Sequence, residues 1–590
     1  MATSDGRFVL AYNGELYNFK TLRQKLQSDG VAFRTSGDTE VILQALARWN
    51  SDAMNHFEGM FALALWDSLR RRLLLVRDRL GIKPLFYAES AGRIAFASEL
   101  PPLLELPWIS RRPDPFGVAG YLAHYQPAFD SQTVFSGIRS LEPGCFLTAD
   151  SDGIRLQRYW QLPITPTAEK EAKWNDARIE TAAGELAQLT GSAVRSHMIS
   201  DVPIGAFLSG GLDSSIVIML MADYSQERVR AYSVGFDESG YHEFDYSVPL
   251  VEKLGLQHDL IRFDPRDYLG LMEEQIRHRR APLSTPNEIP LLALSRRLAQ
   301  EIKVVLSGEG ADELLGGYAP LLRSPHDLMT ARTLRENPTA IAPETRNAIR
   351  KALQRQYGRS GFHDPVDHWT CVYSWLSAGD RKTILNRDFV TPELDDRLTQ
   401  SWRDRFDQMQ NLSIYDQYLY LLETEHLRGL LTRLDAQTMA ASVEGRVPFC
   451  DHKLVEFVWK LPFEYKLRWK SVPPNASTDE TALSPALTSL DIAERFDTAK
   501  FILKEAFRAR LPEPIVNRRK QAFPVPLETI LTPEALKPMW ERLASSASVR
   551  ECINVAALPE WAQRTMASGT DGIKVWMALN LGLWLEGMDS

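Results

Sequence analysis

Cysteine is scarce and scattered. Cys145, Cys371, Cys450 and Cys552 are the only four in 590 residues, and no two have the spacing of a zinc site or a disulfide framework. That sets both aside and makes a reducing compartment, the cytoplasm, the expected location. An excess of basic residues is missing as well: 68 Lys and Arg against 76 Asp and Glu leave a net charge of -8. The clusters Arg70 to Arg72, Arg277 to Arg280 and Arg518 to Lys520 are short, so no nucleic-acid footprint is expected, while a small anionic substrate is compatible. No uninterrupted apolar run could span a bilayer, and the opening MATSDGRFVLAYNGE has no basic segment leading into an apolar one, so neither membrane nor secretory targeting is expected. Internal repeats are also missing.

What is present is ordinary globular material, 44% apolar and 24% charged, in a chain too long for one hydrophobic core. At least two domains are expected. From Phe8 to about Tyr159, short β-rich runs (FVLAY, MFALALW, RLLLVRD, LFYA, RIAFA) are separated by turn pairs such as Asn13-Gly14 and Ala91-Gly92, which predicts antiparallel sheet. Helical periodicity interrupts it at Phe19 to Ser28 and Thr39 to Trp49, the second with Ser36-Gly37-Asp38 in capping position.

After Pro163 to Pro166 the pattern changes. A helix from about Asn175 to His197 leads into IGAFLSGGLDSS, and helices then alternate with the apolar runs AYSVGF, HDLIRF and KVVLSGEGADE. This alternation predicts a parallel sheet whose strand ends converge on one crevice. From about Leu328 the chain reads mainly as helix, with segments near Ser413 to Leu431, Lys453 to Lys460 and Ala499 to Arg510. Between Lys470 and Phe496 the polar, Pro/Ser/Thr-rich sequence predicts a mobile surface insertion.

The densest chemistry lies at Ser209-Gly210-Gly211-Leu212-Asp213-Ser214-Ser215. An apolar strand precedes it and a helix follows at once, so glycine backbone N–H groups and the helix N-terminus form an anion cradle. No Lys follows the glycines as in a Walker loop; charge must be balanced elsewhere, and Asp213 is placed to hold Mg²⁺ against phosphates. The plain alternative is a Gly-rich turn before an ordinary helix. In LSGEGADE, the carboxylates of Glu309 and Asp312 share a Gly-rich turn after an apolar strand, where one can hold a second Mg²⁺ or pyrophosphate and the other take a proton. Helix capping is the alternative there.

These stretches resemble the SGGxDSS pyrophosphatase loop and, with YNGELYNF, RDRLGIKPLFYA, VVLSGEGADELLGGY and DAQTMAASVEGRVPF, the asparagine synthetase family over nearly the whole chain. The resemblance implies an α/β protein of two parts. Residues 1–160 would be an incomplete Ntn-type α/β/β/α glutaminase-like domain, and residues 161–590 a parallel-sheet ATP pyrophosphatase domain (adenine nucleotide α-hydrolase-like) with a helical C-terminal part and the insertion at 470–496. It implies ATP and Mg²⁺, with aspartate, ammonia and glutamine as small-molecule partners, and leaves a homodimer open. Aspartate would become a β-aspartyl-adenylate and then asparagine. Ring closure or another acceptor, as in relatives resembling β-lactam synthetases and peptide cyclases, is the second reading, and a non-catalytic nucleotide-binding homologue the third.

Residue by residue, the resemblance puts Leu208 and Val234 beside adenine and ribose, Ser307 and Gly308 on the nucleotide through their backbone, Glu309 as the base and Asp312 on metal and pyrophosphate. It matches Lys500 to a lysine that stabilises leaving pyrophosphate, against a solvated surface lysine as the alternative. Arg446 either holds the carboxylate substrate or pairs with Asp435 as a structural arginine. In the first domain Asn13 and Gly14 match an oxyanion hole and Glu15 and Asp38 a glutamine-amine site. Glutamine-using relatives carry an N-terminal cysteine nucleophile. Here Met1 precedes Ala2, Thr3 and Ser4 sit in the wrong place, and Cys145 in LEPGC cannot serve. A truncated glutaminase half without glutaminase activity is therefore expected, with a start site chosen too far downstream as the alternative.

Overall fold

A computed structural model describes residues 1–590 apart from 127, 239, 338, 340, 471–486, 519, 521–522, 568, 570 and 590. Two antiparallel five-stranded sheets organise the first part. One runs in the order Phe8–Leu16, Gly59–Asp67, Arg72–Arg77, Cys145–Asp150, Gly153–Arg158; the other in the order Arg93–Ala97, Phe86–Ser90, Ile138–Ser140, Gln132–Thr133, Ala128–Phe129. Side chains alternate faces along a strand, and Gly59–Asp67 uses both. Phe61, Leu63 and Leu65 pack under the helices Phe19–Ser28 and Asp38–Trp49, while Ala62 and Ala64 meet the second sheet through Leu85, Tyr87 and Leu141. The helix Pro115–His124, capped by the Asp114 carboxylate on Gly117 N–H, packs Val118 and Leu122 beside Val134 and Ile138 of the second sheet's segment. The result is the expected α/β/β/α layering. Asp38 is the first residue of its helix rather than part of a side-chain cap, and Gly37 stands at the N-cap.

The second sheet system is parallel, in the order Gln257–Arg262, Arg230–Gly235, Ile204–Phe207, Val304–Leu306, Glu444–Arg446. Its fifth strand, Glu444–Arg446, was not legible as a strand from so short a run. The first strand in sequence, Ile204–Phe207, lies beside the fourth, Val304–Leu306, so their connections leave in opposite directions and a crevice opens above their C-terminal ends. The helix Leu212–Tyr224 that starts there is buried along most of its length, which explains its nearly unbroken apolar sequence.

The segment expected as one helix from Ser413 to Leu431 is Ile414–Leu421, a π-turn at Leu422–His426, and Leu427–Met439. The mobile surface insertion expected between Lys470 and Phe496 falls partly on a helix. Residues 471–486 lie outside the described residues, but Ser489–Phe496 is a helix with a Thr488/Asp491 capping box, and its buried Ile492 supplies the packing that the polar composition concealed. No helix among the described residues is long and apolar enough to cross a membrane.

Candidate active site

Two loops meet at the seam of the parallel sheet. The first leaves buried Leu208, whose N–H donates to the Tyr232 carbonyl at 2.8 Å. Gly210 then takes φ +76°, where a Cβ would lie 2.8 Å from that of Tyr246, so a side chain would be strained and crowded at once. Ser209 and Ser214 tie the turn together, Oγ to Oγ at 3.0 Å, and Ser209 Oγ accepts the Gly211 N–H at 3.2 Å. Gly211 is the N-cap of the following helix. The first-turn N–H groups of a helix have no carbonyl of their own to bond, and here they point over the strand ends. Ser215, the residue after Ser214, is fully buried, and its hydroxyl has no partner among the described residues.

The second loop, Ser307-Gly308-Glu309-Gly310, follows Val304–Leu306 and turns into the helix Ala311–Leu315 through Gly310 at φ +91°. A Cβ on Gly308 would sit 2.9 Å from Ser214 N and 3.0 Å from Asp213 Cβ. The two loops therefore touch, and the contact sets Asp213 opposite Asp312.

Lys500 joins them: its Nζ lies 2.5 Å from Asp213 Oδ2 and 2.6 Å from Asp312 Oδ1. It occupies a left-handed backbone position, φ 54°, between the strand Asp497–Ala499 and the helix Phe501–Phe507, so it precedes the helix that the periodicity had started at Ala499. Only 7% of its side chain is exposed, which removes the solvated-lysine alternative. Lys520 adds a second ion pair to Asp312. Gly317 makes room, since a Cβ there would lie 1.7 Å from Asp312 Oδ1.

The charges divide the two carboxyls. Burial pushes Asp312 up, but Lys500 and Lys520 overrule it and hold it well below the usual carboxylate range. For Asp213 burial prevails over Lys500, with Asp312 adding to it, and its pKa is raised. Burial would discharge Lys500, yet the two aspartates keep it firmly protonated. Asp213 Oδ1 is buried and has no hydrogen-bond partner among the described residues. Mg²⁺ commonly takes one or two carboxylates and completes its shell with phosphate oxygens and water; two facing carboxylates with an idle oxygen fit that demand. No group of three or more His, Cys, Asp or Glu side chains forms a self-sufficient metal site among the described residues.

The cleft over the seam has a free volume, open mouth included, of about 1170 Å³. Leu208, Val234, Leu291, Leu294 and Phe523 give it an apolar end, and Asp213, Asp312 and Lys520 a charged one. Glu309 faces the cleft paired to Arg433, whose Nη1 donates to Asn287 Oδ1 at 3.1 Å. Ser209, Asp213, Ser214, Val234, Ser307, Gly308, Glu309 and Asp312 all line this space. Lys500, Gly211 and Lys504 line an adjoining basic recess with Arg518.

Arg446 is not there. Its guanidinium is buried and donates to Glu444 at 2.7 Å, to the carbonyls of His197 and Ile199 at 2.8 and 2.6 Å, and to Glu15 of the first domain at 2.9 Å. Four of its five N–H donors are engaged at that junction, outside the cleft, as the structural-arginine alternative expects. The partner expected for it, Asp435, is instead bonded to Lys83 at 2.9 Å.

In the first domain Asn13, Gly14, Glu15 and Asp38 do gather at the end of the strand Phe8–Leu16, but each is already engaged. Asn13 donates to Ser98 Oγ at 3.2 Å, and Asp38 accepts from Tyr12 OH at 2.9 Å and Leu16 N–H at 3.1 Å. A Cβ on Gly14 would collide with the Met60 carbonyl at 2.1 Å. Burial outweighs Arg446 and lifts the Glu15 carboxyl to about 7. Cys145 is buried at the start of a strand, its thiol pushed up by burial.

Sequence reasoning missed Arg433, Asn287 and Lys520. The basic run at Arg518 to Lys520 was a usable signal for the last, because an isolated basic run in an acidic chain needs an anion to face.

The profile described as Asparagine synthase matches residues 185–586, and that described as Glutamine amidotransferase domain matches residues 1–160. Asparagine synthetase [glutamine-hydrolyzing] 3 of Bacillus subtilis is 29% identical over 536 residues, covering 88% of this chain and 75% of that one. Asparagine synthetase [glutamine-hydrolyzing] 1 of the same organism is 28% identical, covering 89% and 77%. Amidase chyE of Penicillium rubens is 26% identical over 566 residues, covering 88% and 77%.

Proposed function

Because this chain belongs to the asparagine synthase family, whose character is that of an ATP-dependent amide-forming ligase, we propose that it makes asparagine from aspartate, ATP and ammonia through a β-aspartyl-adenylate. The observation that carries this reading is the lysine-bridged aspartate pair, Asp213 and Asp312, set by two glycine turns at the switch point of a parallel sheet.

The base of ATP lies against Leu208 and Val234, with backbone contacts from Ser307 and Gly308. Its phosphates rest on Ser209 to Ser215 at the helix N-terminus. Asp213 and Asp312 are the residues that would hold Mg²⁺, which would neutralise phosphate charge when bound. A carboxylate oxygen of aspartate attacks the α phosphorus, and pyrophosphate leaves toward Lys500, whose buried charge stabilises it. Ammonia then attacks the acyl carbon; AMP departs with the bonding pair, and Glu309 takes the proton from nitrogen. Ammonia is proposed as the nitrogen donor because Asn13, Asp38 and Glu15 of the first domain are each bonded within the protein rather than turned to a ligand.

The test supplies purified protein with ATP, Mg²⁺ and aspartate, adds either ammonium or glutamine, and follows pyrophosphate and asparagine together. Equal yields of both with ammonium support the reading. Pyrophosphate formed only with a different carboxylate moves the assignment to the ring-forming or amine-joining relatives, and glutamate release would overturn the ammonia assignment.

A further inference from the structure

Arg433 is the buried cation of the cleft that the adenylation chemistry leaves without a task. It projects from the helix Leu427–Met439 with 10% of its side chain exposed. Its Nη2 pairs with Glu309, and its Nη1 reaches Asn287 Oδ1 at 3.1 Å and Thr285 Oγ1 at 3.5 Å. Its Nε is buried and has no acceptor among the described residues. Of the two cations that line the cleft among the described residues, Lys520 is committed to Asp312 at the phosphate end, and Arg433 faces the acyl end beside Glu309.

A guanidinium binds a carboxylate best through two parallel N–H donors. Glu309 uses one nitrogen and leaves Nε idle, so the fork is half filled. A carboxylate spanning Nε and Nη2 would satisfy the orphaned donor and take Arg433 from Glu309. That exchange also turns Glu309 free toward the reacting carbon at the moment substrate is in place.

We propose that Arg433, steadied by Asn287, binds the carboxylate of the amino-acid substrate that is not adenylated, and that Glu309 holds its place in the empty enzyme. This rests on the ligase reading above and narrows it to substrates with two carboxylates. Such a contact gives strong discrimination, because a substrate lacking the group leaves a buried charge to be reorganised.

The experiment compares pyrophosphate release by the full chain with aspartate and with 3-aminopropanoate, which is aspartate without its α-carboxylate. Aspartate is expected to lead by about 100-fold or more in kcat/KM. Arg433→Ala should cut kcat/KM for aspartate by about 100-fold, mainly through KM, and leave 3-aminopropanoate within about threefold. Arg433→Lys should restore part of the loss, because a point charge replaces the fork. Asn287→Ala, a milder change that serves if Arg433→Ala does not fold, should raise KM for aspartate about fivefold to tenfold and spare 3-aminopropanoate. Unchanged affinity for an ATP analogue verifies the fold of each variant. Aspartate preference persisting in Arg433→Ala, or equal loss of both substrates with nucleotide binding intact, overturns the proposal. Calorimetric titration of aspartate into protein saturated with a non-hydrolysable ATP analogue reads Arg433 without turnover. Binding that Arg433→Ala weakens at least about 30-fold upholds the proposal even if the ligase reading fails, and binding that it leaves unchanged refutes it.

Discussion

Two acidic clusters lie at strand ends in this chain, and they are finished in opposite ways. Asp213 and Asp312 face a cleft, are neutralised by Lys500 and Lys520, and include a buried oxygen without a hydrogen-bond partner among the described residues. Glu15 and Asp38 are spent on their own protein: Asp38 on Tyr12 and Leu16, Glu15 on Arg446 across the junction between the domains. A buried acceptor without a partner costs stability and persists where a ligand will complete it; a saturated one marks a structural role. The C-terminal cluster has the first character and the N-terminal cluster the second.

The largest expected effect tests the open cluster. Asp213→Ala or Asp312→Asn should lower pyrophosphate release by at least about 10³-fold, measured with saturating ATP and Mg²⁺; a loss below tenfold would erase the contrast. Lys500→Ala should cost about 10²- to 10³-fold in kcat. It should also shift the acid limb of the pH–rate profile upward, because Asp312 is held below its ordinary range by Lys500 and Lys520 against burial. The junction is tested by Arg446→Ala, which strands Glu15 and Glu444 and should cost about 3–5 kcal/mol in denaturant unfolding while leaving KM for aspartate within twofold. A large KM change would return Arg446 to the substrate site.

The smallest effect concerns pH. Glu15 has its folded pKa raised from 4.5 to about 7, so its contribution to stability is complete below about 4.5 and is lost as pH rises through about 7, at most about 3 kcal/mol. Glu15→Gln should flatten stability between pH 5 and 8, read by thermal melts across that range.

Much of this was legible in the amino-acid order. Glycine pairs, apolar strands and immediate helix starts announced both cleft loops, because backbone approach to phosphate needs those residues in that order. The alternating runs before Tyr159 announced two-faced antiparallel strands. What stayed hidden depends on long-range contact. Nothing local says that Arg446 turns its side chain away from the strand end that carries its carbonyl to Ser307 N–H, or that Glu309 meets a guanidinium 124 residues later. The π-turn at Leu422–His426 was invisible because Leu422, Glu423 and Glu425 are good helix formers and neither Gly nor Pro interrupts the run, so only packing registers the extra residue.

Lys83 and Asp435 are bonded at 2.9 Å with 1% and 11% of their side chains exposed, 352 positions apart. At a synthesis rate of about 5–20 residues per second, the lysine waits roughly 20 to 70 s on the ribosome before its counter-ion is even made. Through that interval Lys83 lacks this counter-ion, and the seam it forms with the rest cannot set. Completion of the polypeptide then acts as a timer on assembly: the early half matures last at this seam, and severing the chain between the two sheets should leave a fragment that associates with its complement in trans more readily than with itself.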